Sequence, residues 1–250
     1  MRLDVYLVSA RLADSRTKAK ALIESGGVTV GGAVMTKAAF EVGNEDVAVS
    51  DEARLPYVGR GGLKLEAALD AFGVDADGKI CCDIGASTGG FTDCLLTRGA
   101  KKVYAVDSGT GQLAEALRKD CRVVSLEGVN ARFITRETLG GEAPDVIVMD
   151  VSFISQTLLY DAIRNIAAPD ADIITLIKPQ FEAGKANIGK NGIVKDEKVR
   201  RKVIQEVTAF AASLGFSVKG VIESPIKGGS GNTEYLLHMT APEGAAHDPV

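Results

Sequence analysis

Hydrophobic positions change their spacing along the chain near residues 51–60. Beyond about residue 60, short apolar runs alternate with segments whose apolar residues recur every three or four positions. This alternation predicts strands joined by helices, and strands that are apolar throughout favour a mostly parallel sheet covered on both faces. The predicted strands are residues 79–86, 101–107, 121–127, 144–151, 171–178, 216–223 and 233–240. No helix separates the last two, so we expect the final strand to be antiparallel.

Segments with helical spacing lie between these strands. The predicted helices fall within residues 91–100, 111–119, 156–167 and 195–215. In the longest one, an apolar face is formed at helical spacing by Val199, Val203, Val207, Phe210 and Leu214. The second part of the chain is therefore predicted to be an α/β domain with a seven-stranded, mostly parallel sheet.

The first 50 residues predict a smaller unit. A helix is expected over residues 15–25, capped by Asp14 or Ser15 and ended by Gly26-Gly27. Its buried face would be formed by Ala19, Leu22 and Ile23.

A β-hairpin is predicted next, because residues 28–30 and 33–37 flank a Gly-Gly pair. We expect an α+β unit, a linker, an α/β domain and a flexible tail, at residues 1–55, 56–62, 63–242 and 243–250 respectively.

Composition is that of a globular protein, with 250 residues, 46% hydrophobic, 25% charged and a net charge of −4. No apolar run approaches the roughly 20 residues of a membrane span, and the first residues do not resemble a signal peptide, so we expect a cytoplasmic protein. Cys81 and Cys82 are adjacent in a predicted strand and are expected to be reduced core residues without a metal. His238 and His247 are the two histidines of the sequence, which disfavours a Ser-His-Asp hydrolase or a histidine-rich metal site.

Positive charge is concentrated at the N-terminus of this acidic chain. The basic residues concerned are Arg2, Arg11, Arg16, Lys18, Lys20 and Lys37. Such a face is expected of a module that contacts phosphate, although a solvated helix face explains it equally well. Residues 2–32 (RLDVYLVSARLADSRTKAKALIESGGVTVGG) and MTK at 35–37 resemble the S4-type RNA-binding domain, and the resemblance implies that these side chains face structured RNA. Arg60, between the domains, is expected either to contact RNA or to pair with an acid.

A glycine-rich loop follows the first strand of the larger domain and opens a helix. A ligand can approach such a turn closely, and the helix N-terminus supplies unpaired N–H groups. Asp83 precedes the loop and would repel a pyrophosphate, which favours a cofactor that carries a cation. Asp107 ends the second strand, where an acid can bind ribose hydroxyls. The loop residues are Gly85, Ala86, Ser87, Thr88, Gly89, Gly90 and Phe91.

Together these residues resemble the cofactor site of class I S-adenosylmethionine-dependent methyltransferases, whose fold is Rossmann-like. The resemblance implies that S-adenosylmethionine is the cofactor and that Glu127 and Asn130, after the third strand, lie near its adenine. Asp150 would also border the cofactor, because it ends the fourth strand.

Four charged residues have the order of a known catalytic set. Each has an ordinary structural explanation, such as a helix cap or an exposed side chain. Jointly they resemble the Lys-Asp-Lys-Glu tetrad of FtsJ-like 2′-O-ribose methyltransferases, at Lys64, Asp150, Lys178 and Glu234. A ribose hydroxyl must lose its proton as the methyl group is attacked. We hypothesise that Lys178 is the base and that Lys64 positions the 2′-oxygen or the adjacent phosphate. Asp150 and Glu234 would orient Lys178.

The whole chain resembles the TlyA family, also labelled hemolysin A. The resemblance implies 2′-O-methylation of cytidine in the ribosomal RNA of the small or large subunit, without metal or membrane, and we expect a monomer. A tryptophan of better-known members is missing from the link RLPYVGRGG at 54–62. Two alternatives are a membrane-active hemolysin and a non-catalytic RNA-binding protein on a methyltransferase scaffold. The complete tetrad disfavours the non-catalytic protein. Methylation of a base instead of the ribose is a further alternative, and Asp-Val-Ser-Phe at 150–153 disfavours it.

Overall fold

The computed structural model describes residues 1–13, 15–24, 26–50, 56–184 and 187–243. It divides into two compact units, Met1–Arg60 and Gly61–Val250. The predicted cap at Asp14 and most of the predicted tail, residues 244–250, lie outside the described residues.

The first unit packs two helices against a three-stranded antiparallel sheet. Its elements are α1 (Leu3–Ser9), α2 (Arg16–Glu24), β1 (Val28–Val30), β2 (Ala33–Val34) and β3 (Val47–Val49), with the strand order β2-β1-β3. The predicted hairpin is confirmed, but its second strand has two residues instead of five. The buried core contains Leu3, Leu7, Ala19, Ile23, Val28 and Val49.

The second unit contains a seven-stranded sheet, and each of the seven predicted strands is confirmed. The strands are β4 (Ile80–Ile84), β5 (Lys102–Asp107), β6 (Val123–Glu127), β7 (Val146–Met149), β8 (Asp172–Ile177), β9 (Ser217–Glu223) and β10 (Tyr235–Thr240). Their order is β6-β5-β4-β7-β8-β10-β9. Strands β4 to β8 are parallel, whereas β10 pairs antiparallel with both β8 and β9.

Helices cover this sheet and include one, α3, that lies before the first strand. They are α3 (Gly61–Phe72), α4 (Gly90–Thr97), α5 (Glu115–Arg118), α6 (Tyr160–Ile166), α7 (Pro179–Glu182) and α8 (Glu197–Ser213). The predicted face of α8 is partly wrong. Val203 and Val207 are buried, but Phe210 is 41% exposed and Ala211 is fully buried in its place. The small alanine lets α8 approach the sheet, while Phe210 stacks on Tyr160 at the margin.

The central strands carry a core of buried apolar side chains. Cys81, Cys82 and Cys94 are buried in it, and burial raises the pKa of the Cys81 thiol to about 12. The four cysteines, including the exposed Cys121, form no disulfide within the described residues. Within the described ranges, no helix is both long enough and apolar enough to cross a membrane.

Candidate active site

A cleft of about 390 Å³ lies at the edge of the sheet where the parallel strands end. Its walls are the loops that follow β4, β5, β6 and β7, as expected for an open parallel sheet. The polar residues that line it are Ser87, Asp107, Ser108, Gln112, Asn130, Asp150 and Ser152. Two of these are carboxylates, and none of the described lining residues is a lysine or arginine, so the cleft fits a cationic ligand.

The loop after β4 needs glycine at two positions for different reasons. Gly85 has φ +84°, and a Cβ atom there would lie 2.5 Å from the carbonyl oxygen of Asp150. Gly89 has φ +98°, and its Cβ would lie 2.3 Å from Leu117 Cδ1. The first glycine therefore lets the β4 and β7 ends approach each other, and the second lets α4 begin beside the segment carrying α5.

Asp83 lies behind this loop and is fully buried. Its Oδ2 accepts a hydrogen bond of 2.7 Å from the hydroxyl of Thr92, while Oδ1 has no hydrogen-bond partner. Burial, with a smaller contribution from the charges of Asp150 and Asp107, raises the pKa of Asp83 to about 7. A cation bound nearby would favour the ionised carboxylate.

Two further acids hold the loops of the cleft through backbone N–H groups. Asp107 accepts hydrogen bonds from the amides of Ser87 and Gly109, each 2.7 Å long. Glu127 accepts from Gly111, Gln112 and Leu113 at 2.9–3.2 Å, and these bonds lower its pKa. Glu127 therefore shapes the loop after β5 and is not among the residues that line the cleft, and its expected position near adenine stays a prediction.

Lys178 and Asp150 form an ion pair at the ends of adjacent strands. Nζ of Lys178 lies 2.5 Å from Oδ1 of Asp150 and donates a 2.8 Å hydrogen bond to the hydroxyl of Ser152. Pro179 at the first position of α7 ends β8 and keeps Lys178 extended. The amine therefore reaches sideways to the end of β7, with its side chain 11% exposed.

Lys64 and Glu234 form a second ion pair, although 170 residues separate them. Nζ of Lys64 lies 2.6 Å from Oε2 of Glu234, and the two side chains are 10% and 3% exposed. Gln180 Nε2 lies 3.5 Å from Oε1 of the same glutamate. Because Gln180 follows Lys178 by two residues, it links the second ion pair to the segment that carries the first.

The structure places the predicted residues in three groups. The tetrad forms the two ion pairs just described, and Gly85, Ser87, Asp107, Asn130 and Asp150 line the cleft. The remaining predicted cofactor residues lie behind the lining or outside it, namely Asp83, Ala86, Thr88, Gly89, Gly90, Phe91 and Glu127. These residues affect the shape or the charge of the loop, because Gly89, Gly90 and Phe91 are buried in the protein.

Sequence reasoning missed several residues of the site. Ser152 and Gln180 contact the tetrad, and Gln112 lines the cleft with a 3.2 Å contact to the hydroxyl of Ser87. Phe153 lies in the left-handed region, with φ +64°, and is 92% exposed at the cleft. The sequence offered one signal for Phe153, namely an aromatic residue directly after Asp-Val-Ser at the predicted end of a strand. An exposed aromatic residue at a cleft indicates a binding site.

Some basic residues of the first unit form ion pairs within that unit, but they also remain exposed at its surface. Asp4 accepts hydrogen bonds from the guanidinium groups of Arg2 and Arg16 at 2.9–3.1 Å, which hold the pKa of that carboxyl well below its usual value. Both arginines remain at least half exposed. The side chain of Lys18 lies outside the described part; exposed positions are occupied by Arg11, Lys20, Lys37 and Arg60.

The chain matches two protein families over separate ranges. Residues 57–241 match the FtsJ-like methyltransferase family, and residues 1–47 match the S4 domain. These ranges correspond to the two units of the fold.

Known proteins resemble the chain along nearly its whole length. Hemolysin A from Brachyspira hyodysenteriae is 45% identical over 243 residues, which cover 96% of this chain and 99% of that protein. The 16S/23S rRNA (cytidine-2′-O)-methyltransferase TlyA from Mycobacterium tuberculosis is 45% identical over 239 residues, or 95% and 89% of the two chains. A solved structure described as a hemolysin from Streptococcus thermophilus aligns with a TM-score of 0.75 at 43% identity, covering 97% and 90%.

Proposed function

This chain belongs to the TlyA family of rRNA methyltransferases, in which an S4 domain precedes an FtsJ-like domain, and we propose that it methylates the 2′-oxygen of a cytidine in ribosomal RNA. The observation that carries the proposal is the ion pair of Lys178 and Asp150 beside the acidic cleft. It places an amine next to the site that fits a cationic cofactor.

S-adenosylmethionine fits the residues of the cleft. When bound, it supplies a methyl group on a positively charged sulfur. Asp107, Asp150 and buried Asp83 give the site a negative potential that favours this charge. Gly85 leaves room beside the β4 end, and Asn130 offers a side-chain amide at the far wall.

We assign the tetrad the following roles. Once Nζ of Lys178 has lost its own proton and is a neutral amine, it takes the proton of the ribose 2′-hydroxyl, while Asp150 and Ser152 fix the position of that nitrogen. Lys64 binds the 2′-oxygen or the neighbouring phosphate. Glu234 orients Lys64 from its buried position, and the strong ion pair keeps the long lysine side chain in one rotamer.

The target nucleoside would contact the exposed ring at the cleft. Phe153 packs against Phe181, with ring centroids 5.2 Å apart, so one of its faces remains available. An extruded base can stack on such a ring. The positive side chains of the S4 unit would hold the surrounding folded RNA through phosphates, in the cytoplasm where ribosomes are assembled.

The decisive experiment incubates the protein with radiolabelled S-adenosylmethionine and ribosomal subunits from cells that lack this modification. We expect label in ribosomal RNA at a linkage that resists alkaline hydrolysis, because a 2′-O-methyl group removes the internal nucleophile. Label in an alkali-sensitive position would indicate base methylation. Lack of incorporation into either subunit by folded, cofactor-binding protein would contradict the proposal.

The base assignment is tested by Lys178→Ala. We expect the rate of methyl transfer to fall by about 10²- to 10⁴-fold, the usual contribution of a general base, with S-adenosylhomocysteine affinity nearly unchanged. Lys219→Ala is the matched control, because Lys219 is an exposed lysine on β9. A Lys178→Ala protein with full activity would refute the assigned role.

A further inference from the structure

Asn232 is a buried polar residue that bridges two loops near Glu234. It is 1% exposed and lies two residues before that glutamate. Its side chain accepts a 3.0 Å hydrogen bond from the amide of Val194 and donates a 2.9 Å bond to the carbonyl of Gly192. Both polar atoms of its side chain are therefore used to hold one segment, residues 192–194, against the loop that leads into β10.

The same segment is fastened a second time from α8. The guanidinium of Arg200 donates to the carbonyls of Val194 and Lys195, at 3.1 and 2.7 Å, and to the hydroxyl of Tyr235, at 3.1 Å. Tyr235 directly follows Glu234. The chain at the start of β10 is thus connected to residues 192–195 on both sides of the glutamate, through Asn232 before it and through Tyr235 and Arg200 after it.

The backbone of Asn232 also acts on the glutamate. Its carbonyl accepts a 2.9 Å hydrogen bond from the amide of Gly228. Gly228 lies directly against the carboxylate, since a Cβ atom at that position would be 2.1 Å from Oε1 of Glu234. The hydrogen bond therefore fixes a wall that leaves Glu234 little freedom except to face Lys64.

We infer that Asn232 is a positioning residue for the Lys64–Glu234 ion pair. Its side chain fixes the loop before β10 to the segment 192–194, and the backbone carbonyl that this anchoring positions holds Gly228 against Glu234. The glutamate in turn fixes Nζ of Lys64. A lysine amine placed about 1 Å off line contacts the reacting oxygen poorly, which lowers the rate of the chemical step more than the affinity for either substrate. The catalytic consequence rests on the proposed function, whereas the structural consequence does not.

The first experiment compares Asn232→Ala with Asn187→Ala. Asn187 is a matched control because it is an exposed asparagine of the same region, and its side-chain amide donates to the nearby carbonyl of Ala183. In Asn232→Ala we expect kcat for rRNA methylation to fall by about tenfold, with KM for the cofactor and its affinity for S-adenosylhomocysteine changed by less than about twofold. Asn187→Ala should keep the wild-type values.

The second experiment measures the position of Lys64 without any methyl transfer. Full-length proteins are treated briefly with acetic anhydride, and acetylation of each lysine is quantified by mass spectrometry. Lys64 should react slowly in the wild type, because its amine is buried and paired, and several-fold faster in Asn232→Ala. Lys79, whose side chain is 33% exposed, serves as the internal reference.

Gly228→Ala tests the same contact if Asn232→Ala does not fold. The added methyl group keeps every hydrogen bond of Asn232 but displaces the carboxylate of Glu234, so we expect lower kcat and faster Lys64 acetylation. Wild-type Lys64 reactivity in both folded variants, or a defect confined to cofactor binding, would overturn the inference. An inactive wild-type protein would instead overturn the proposed function, and the acetylation comparison would still decide the role of Asn232.

Discussion

Asp83 is a single side chain whose protonation affects both stability and cofactor binding. Because burial raises its pKa to about 7 from 3.8, the native protein keeps this proton at pH values where the unfolded chain has lost it. Its favourable contribution to stability is complete below about pH 4 and is lost as the pH rises through about 7. A bound sulfonium acts in the opposite direction, because it stabilises the carboxylate.

We therefore predict that Asp83→Asn flattens the pH dependence of stability. Between pH 5 and pH 8, the melting temperature of ligand-free protein should fall more for the wild type than for the variant, as measured by differential scanning fluorimetry. Calorimetry should show that the variant binds S-adenosylmethionine about tenfold more weakly at pH 8, because the negative charge is missing. Parallel melting curves across this pH range would contradict the burial of an ionisable Asp83.

Residues at strand ends could be predicted from the sequence, whereas their partners could not. Asp150 and Lys178 each follow an apolar run, so their place at the edge of the sheet follows from local pattern. The pairing of Lys64 with Glu234 was not predicted, because the resemblance supplied only the four residues and Glu234 was expected to orient Lys178. Asn232 gave no signal at all, because its role depends on a segment about 40 residues away in the chain.

At the scale of elements, the site depends on how closely β4 and β7 approach each other. The backbone of Asp150 donates a 2.9 Å hydrogen bond to Ile84, and Gly85 packs against the carbonyl of the same aspartate. The loop that borders the cleft and the end of β7, which Asp150 follows, thus share one contact. The alternation of apolar runs and helical segments predicted β4 and β7, but the contact between their ends was seen only in the structure.

Gly85→Ala should disrupt that contact. The substitution introduces both a strained φ and a clash, so we expect a loss of about 1–3 kcal/mol in the free energy of unfolding together with a marked loss of cofactor affinity. Gly73→Ala is the matched control, because Gly73 also has a positive φ, +67°, but has open space around it. Gly73→Ala should show the effect of backbone strain alone, with normal cofactor binding. If the two substitutions changed the free energy of unfolding and the cofactor affinity equally, in chemical denaturation and calorimetry, the clash at Gly85 would be contradicted.

At the scale of the whole molecule, charge and chemistry are divided between two units. The larger unit holds the acidic cleft, and the smaller unit carries exposed basic residues despite the net charge of −4 for the chain. Each unit has its own buried core. The change of hydrophobic spacing near residues 51–60 predicts a boundary in this part of the chain, and the structure divides between Arg60 and Gly61.

Removing exposed positive charge from the S4 unit should weaken RNA binding alone. For Arg11→Ala combined with Lys37→Ala, we expect a higher KM for ribosomal subunits and a salt dependence of binding that is shallower by about one to two units of slope. Affinity for S-adenosylhomocysteine should not change. A double variant of Lys101 and Lys219, which are exposed in the larger unit, makes the same change in net charge. Equal losses in both double variants would indicate a nonspecific effect of charge.

The reversed direction of β10 has a practical consequence for protein engineering. Because β10 runs against β8, its first residue, Tyr235, pairs with Ile177 at the end of β8, and the loop at this edge of the sheet precedes β10 instead of following it. Residues 224–227 and 229–231 can therefore be exchanged among homologues while Gly228 and Asn232 are kept, which leaves the loops that line the cleft and the end of β8 untouched. Under the proposed function, such chimaeras would measure how far this loop contributes to the choice of nucleotide, with the cleft of the host protein kept constant.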